Sequence, residues 1–161
     1  MENNLDCILI REDHRTVNYI VQHARWGNYV LPPQDATWSV ELRSYFIESI
    51  LMRIPIPAFY FSETSQGKYV VLNGLTRFEA LLWFYGGGRL SSVIPELDGL
   101  TFVELPGRLL NRLHDARVLL YYIEYSVPVD MHREILVRTC LSASVSASTA
   151  LDALSSFFVY L

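Results

Sequence analysis

Across Asn73-Gly74 the chain changes its apolar period. Val70-Val71-Leu72 is a short continuous apolar run of strand type. Beyond it, Phe78, Leu81, Leu82 and Tyr85 recur at helical spacing. The residues predict a buried strand ending at Asn73 and a helix from about Leu75 to Tyr85. Gly74 permits a sharp turn with close backbone approach between them. A helix entered this way aims its first free N–H groups back at the turn, which makes an anion site available there. Thr76 adds a hydroxyl, and Arg77 in the first turn can fork onto a phosphate. The plainer reading of the same residues is an ordinary strand-to-helix turn, with Arg77 paired to Glu48 or Glu79.

The flanking pattern alternates in the same way. Residues 1–15 read as a loosely held arm with one short strand at Cys7 to Ile10. Thr16 is placed to cap a helix whose stripe is Val17, Ile20, Val21 and Ala24, and Gly27 ends it. Tyr29 to Leu31 reads as a strand stopped by Pro32-Pro33. Ser39 caps a helix over about Val40 to Arg53, with a stripe of Leu42, Phe46, Ile47, Ile50 and Leu51. Strands follow at Ala58 to Ser62 and Lys68 to Leu72. Arg89 to Pro106 reads as loop with short strand pieces. A short helix near Arg108 to Leu113 precedes Arg117 to Tyr125, which is apolar on both faces and is therefore expected to be a central, buried strand. Helices near Val129 to Thr139 and Ala147 to Val159 close the chain, with Ser142 to Ser146 as a linker. Interleaved strands and helices give the class as α/β (α+β), a small mixed sheet flanked by helices. The organisation expected is an arm at 1–15, a domain at 16–141 and a C-terminal helix at 142–161.

Composition narrows the function. The 161 residues are 51% hydrophobic and 19% charged, which excludes disorder as the default. Net charge is −4, and Lys68 is the only lysine beside twelve arginines. A protein that grips duplex DNA by its phosphates carries a basic surplus. Constitutive DNA binding is therefore not expected, although a local arginine cluster is compatible with the composition. Arginine in place of lysine favours planar, bidentate contacts to phosphates and carboxylates. Two cysteines, Cys7 and Cys140, form no disulfide framework and fit a cytoplasmic location. The start, Met1-Glu2-Asn3-Asn4, lacks the character of a signal peptide. No apolar run approaches the roughly 18 residues of a membrane span.

Gly74, Arg77 and Ala80 fall in register with the G-x-x-R-x-x-A motif of ParB-like and sulfiredoxin-like domains. A wider resemblance covers about residues 16 to 140. Trp38, the helix segment Ile47-Glu48-Ser49-Ile50-Leu51, Ile54-Pro55-Ile56-Pro57, Asn73-Gly74-Leu75-Thr76-Arg77 and Ile135-Leu136-Val137-Arg138 follow one another in the order of the N-terminal domain of GmrSD-type restriction proteins. In that family the corresponding motifs are a Trp, P-I-P, D-G-Q-Q-R and a late F-x-R-L-N.

The resemblance implies a nucleoside triphosphate ligand, with or without Mg2+. It implies Arg77 on phosphate, Gly74 and Thr76 lining the turn, Arg138 as a second positive group and Asn73 against sugar or base. Gln34 stands before Trp38, where the family carries Gln-Arg. It also implies a bacterial or phage DNA-defence setting, because family members couple nucleotide hydrolysis to cleavage by a separate nuclease domain. This chain departs at the chemical positions. Asn73 replaces the family Asp, Leu75 and Thr76 replace its two Gln, and Thr139 follows Arg138 in place of Asn. An amide cannot replace a carboxylate as metal ligand or base. No His-Asn-His signature is present. The expectation is a diverged, non-catalytic nucleotide- or phosphate-binding regulatory module, touching DNA only indirectly. The alternatives are an NTP-hydrolysing or nuclease-type enzyme with an altered site, and an interaction component that has lost the ligand.

Other groups point to no chemistry. His14, His23, His114 and His132 have no ligand spacing and are expected to be solvated or capping. Ser142, Ser144, Ser146 and Ser148 form no nucleophile elbow, and Cys140 has no paired base. Gly86-Gly87-Gly88 follows a helix and reads as its C-cap. Trp38 and Trp83 sit beside apolar stripes and read as core anchors. The apolar end, Phe157-Phe158-Val159-Tyr160-Leu161, is expected to meet a protein partner or a second copy of the chain.

Overall fold

A computed structural model describes residues 9–33 and 37–142, and of 140–142 the backbone only. Among these residues five strands and five α-helices follow one another as β1 (Ile10–Thr16), α1 (Val17–Arg25), β2 (Tyr29–Val30), α2 (Val40–Leu51), β3 (Phe59–Glu63), β4 (Tyr69–Asn73), α3 (Leu75–Tyr85), α4 (Gly107–Asp115), β5 (Arg117–Ile123) and α5 (Val129–Ser142). A 3-10 turn at Phe102–Glu104 lies between α3 and α4. The class is mixed α/β, as the interleaving predicts.

The strands form one mixed sheet in the order β1-β5-β3-β4-β2. β1 runs antiparallel to β5, β5 parallel to β3, β3 antiparallel to β4, and β4 parallel to β2. Alternation along each strand decides the layers. Phe59, Phe61, Val71, Val118, Leu120 and Tyr122 point to one face, where they form the main core with α1, α2, α3 and α4. Val70, Leu72 and Ile123 point to the other face and pack with Val127 and with Ile135 of α5. Most of the stripe residues expected for α1, α2 and α3 are buried. Val17, Ile20 and Val21 of α1 are fully buried, as are Ile47 of α2 and Phe78 and Leu81 of α3. The helix starts follow from side-chain caps. Thr16 Oγ1 accepts from the Tyr19 N–H, and Ser39 Oγ from the Leu42 N–H.

Four expectations change. The strand placed at Cys7 to Ile10 instead starts at Ile10 and runs to Thr16, paired along its length with β5; residues 1–8 lie outside the described ones. β5 is interior with a neighbour on each side, but β3 holds the middle of the sheet. Its second face, at Leu119 and Tyr121, is only half-buried. Leu42, assigned to the buried stripe of α2, is 53% exposed. Arg89 to Pro106 contains no strand; apart from the 3-10 turn it is loop. Trp38 and Trp83 pack against the main core. The helix at Ala147 to Val159 and the apolar terminus fall outside the described residues. Among the described residues no helix is long and apolar enough to cross a membrane.

The pairing gathers particular chain ends on one edge of the sheet. Asn73 at the end of β4 pairs with Tyr60 near the start of β3. Phe59 pairs with Leu120 of β5, and Thr16 at the end of β1 pairs with Arg117 at the start of β5. The amino end of α3, the segment before β3 and the first residue of β5 therefore lie along a single rim.

Candidate functional site

Gly74 turns the chain from β4 into α3 with φ 94° and ψ 16°, in the left-handed region. A Cβ there would lie 2.6 Å from Phe59 Cδ1 and 2.8 Å from Arg77 Nη2. Both the backbone angle and the close neighbours require glycine. Gly74 is the N-cap and offers no side chain to the helix. The N–H groups of Leu75, Thr76 and Arg77 precede the first intrahelical bond, which the Phe78 N–H makes to the Gly74 carbonyl at 2.8 Å. No side chain among the described residues caps them. Three donors and the positive end of the helix dipole thus face the rim.

Arg77 is half-buried, and its guanidinium turns back toward the segment before β3. Nη1 donates to the Pro57 carbonyl and Nη2 to the Ala58 carbonyl, the latter at 3.1 Å. The guanidinium lies over the Phe59 ring at 4.6 Å. Desolvation by burial lowers its pKa to about 10, which leaves it charged at neutral pH. Neither Glu48 nor Glu79 forms a salt bridge with it among the described residues. The guanidinium is held by carbonyl dipoles and a ring face, and among the described residues no carboxylate forms an ion pair with it.

The other expected site residues are placed differently. Asn73 Nδ2 donates to Thr139 Oγ1 at 3.3 Å, and Thr139 Oγ1 donates to the Leu136 carbonyl. This contact brings α5 to the turn through Thr139. Arg138, the residue before it, has a side chain 76% exposed and pairs with Glu134 one helical turn away. Thr76 is half-exposed in the first turn of α3. Gln34 lies outside the described residues. Gly74, Thr76 and Arg77 therefore stand together, Asn73 adjoins them with its amide engaged, and Arg138 pairs with Glu134 rather than with the turn.

His132 departs from the solvated or capping role expected for it. It is 2% exposed, on α5, with Nδ1 2.8 Å from Ser62 Oγ of β3. Nε2 has no hydrogen-bond partner among the described residues. Burial pushes the imidazole pKa down, partly offset by the backbone of Val127 and Glu124. His23 is half-buried, stacked on Tyr19 with ring centroids 3.9 Å apart and with Nδ1 2.9 Å from Asn28 Nδ2.

A second group of residues carries no expectation from the sequence. Arg53, Arg108, Arg112 and Arg117 line a cavity of about 640 Å³ on the same rim. Only Arg108 and Arg112, four apart on α4, give a local signal. The other two arrive from the end of α2 and the start of β5.

No protein-family model matches the chain, and neither a curated protein nor a solved structure does.

Proposed function

We propose that the chain is a non-catalytic phosphate-binding module, a diverged relative of the GmrSD N-terminal domain that regulates a protein partner. The amino end of α3 carries this reading: three backbone donors beyond a glycine cap, beside a guanidinium with no carboxylate partner among the described residues. A phosphate group of a nucleotide would accept from the N–H groups of Leu75, Thr76 and Arg77, with the Thr76 hydroxyl at its edge. Arg77 would add charge from behind, because its fork is turned onto Pro57 and Ala58. Asn73, neutral and engaged with Thr139, is placed to hold the turn against α5 and cannot act as a base. Among the described residues no group of three or more His, Cys, Asp or Glu could hold a metal ion. A magnesium ion at the turn would be carried by the phosphates themselves.

The test is thermal unfolding with ATP, GTP, CTP and UTP, with and without magnesium, on the wild type and Thr76→Glu. A carboxylate in the first turn of a helix suits its dipole, so the variant keeps its fold while repelling an anion. A ligand at about 100 times its dissociation constant stabilises by roughly 2.7 kcal/mol, a shift of several degrees for a domain of this size. A shift that is smaller in Thr76→Glu than in the wild type supports the reading. A shift equal in both proteins removes the ligand from this turn.

The orientation of Arg77 favours a second reading, an interaction component that has kept the fold and lost the ligand. The carbonyls of Pro57 and Ala58 already occupy the two terminal nitrogens that would fork onto phosphate. That reading expects no shift with any nucleotide.

A further inference from the structure

The cavity on the rim lies between the end of α2, the segment leading to β3, α4 and the start of β5. Its lining carries four guanidiniums and a single carboxylate, Asp115, in a chain whose net charge is −4. Arg112 is fixed: Nη1 donates to the Leu51 carbonyl at 2.8 Å, and its buried Nε has no partner among the described residues. Arg53, Arg108 and Arg117 are exposed and make no ion pair among the described residues. Guanidiniums crowded at one mouth repel one another, and an anion relieves that repulsion.

Arg53 adds a conformational argument. The Arg53 N–H bonds to the Ile50 carbonyl and the Ile54 N–H to the Ser49 carbonyl, both at 2.9 Å. This is the hydrogen-bond pattern of a helix C-terminus that ordinarily places glycine where Arg53 stands. Arg53 has φ 63° and is the only non-glycine residue with positive φ among the described ones. The chain holds a strained arginine where glycine would be relaxed, and the strained residue faces the cavity.

We propose that this cavity is a second anion site, which takes a phosphate-bearing small molecule of nucleotide size. Arg53, Arg108 and Arg117 grip the phosphates, with Arg112 as a fixed wall. Arginine forks match phosphate oxygens in pairs, and the volume lies within the usual range for small-molecule sites. Ile50, Ile54, Ile56 and Val118 supply an apolar wall for the remainder of the ligand. The site shares no residue with the turn at Gly74. A concave, half-open site set between two helices and a strand start favours a small molecule over a nucleic-acid strand.

The test is isothermal titration calorimetry of the full chain carrying Thr76→Glu, so that the turn at α3 is blocked. The probes are ADP, inorganic triphosphate, adenosine and a single-stranded 12-mer. ADP and triphosphate bind, adenosine does not, and the 12-mer binds more weakly than ADP. Adding Arg53→Gly, Arg108→Gln and Arg117→Gln raises the ADP dissociation constant at least tenfold. Circular dichroism and melting temperature check that this variant is folded, and Arg53→Gly alone, which relaxes the backbone, weakens ADP without lowering the melting temperature. The proposal is overturned by no heat with ADP at millimolar concentration, by an affinity unchanged in the arginine variants, by equal binding of adenosine, or by tighter binding of the 12-mer. ADP binding to the wild type that is lost in Thr76→Glu alone would assign the ligand to the α3 turn and leave the cavity without one.

Discussion

The Arg77 guanidinium lies 4.6 Å from the centroid of the Phe59 ring and ties the first turn of α3 to the start of β3. The same group donates to the carbonyls of Pro57 and Ala58, which lie just ahead of that strand. Arg77→Ala strips both carbonyls of a charged donor. The expected loss is about 1–3 kcal/mol, read as a lower urea midpoint. An unchanged midpoint would mean that the guanidinium is free to meet a ligand.

Gly74→Ala meets two penalties at once, a left-handed backbone and a Cβ 2.6 Å from Phe59 Cδ1. The expected destabilisation is roughly 2–4 kcal/mol. Phe59 is fully buried and cannot easily yield. A stability equal to wild type would show that the turn is not built as described.

The part of this site written in consecutive residues was legible in the sequence. Val70 to Tyr85 carries its own change of period and its own glycine, so the strand, turn and helix fall where expected. The direction of Arg77 was not legible, because the carbonyls it caps are brought beside it only by the pairing of β3 with β4. β1 was hidden for a related reason. Ile10-Arg11-Glu12-Asp13-His14-Arg15-Thr16 has little strand character, and β5 beside it imposes the strand. The buried His132 needed α5 laid across the second face to become visible. The arginine cavity joins residues from α2, α4 and β5, so no local spacing announces it.

Arg53 separates stability from binding. Replacing it with glycine relieves a strained backbone at the end of α2. Arg53→Gly is expected to leave stability unchanged or raise it by up to about 1 kcal/mol. Equilibrium unfolding in urea reads this directly. A clear loss of stability would mean that the arginine holds the helix end through its side chain.

His132 sets a pH dependence. Its pKa in the folded protein lies below the ordinary value because burial disfavours the charged ring. Between the folded and unfolded values the unfolded chain binds more protons, so stability rises with pH there. The contribution is full above the unfolded value of about 6.5 and is lost as pH falls through that value toward the folded one. His23, also lowered by burial and then by Arg15, acts in the same direction. His132→Asn can keep the hydrogen bond to Ser62 and should flatten the fall in melting temperature between about pH 7.5 and 5. An identical pH profile in the variant would place the sensitivity elsewhere.

The central claim is that the amino end of α3 holds a phosphate. Calorimetric titration of nucleotide into the wild type beside Thr76→Glu tests it most directly. The account predicts saturable binding to the wild type and loss of one binding component in the variant, whose melting temperature without ligand is equal or higher. Identical titrations for the two proteins, or no binding to either, would contradict it.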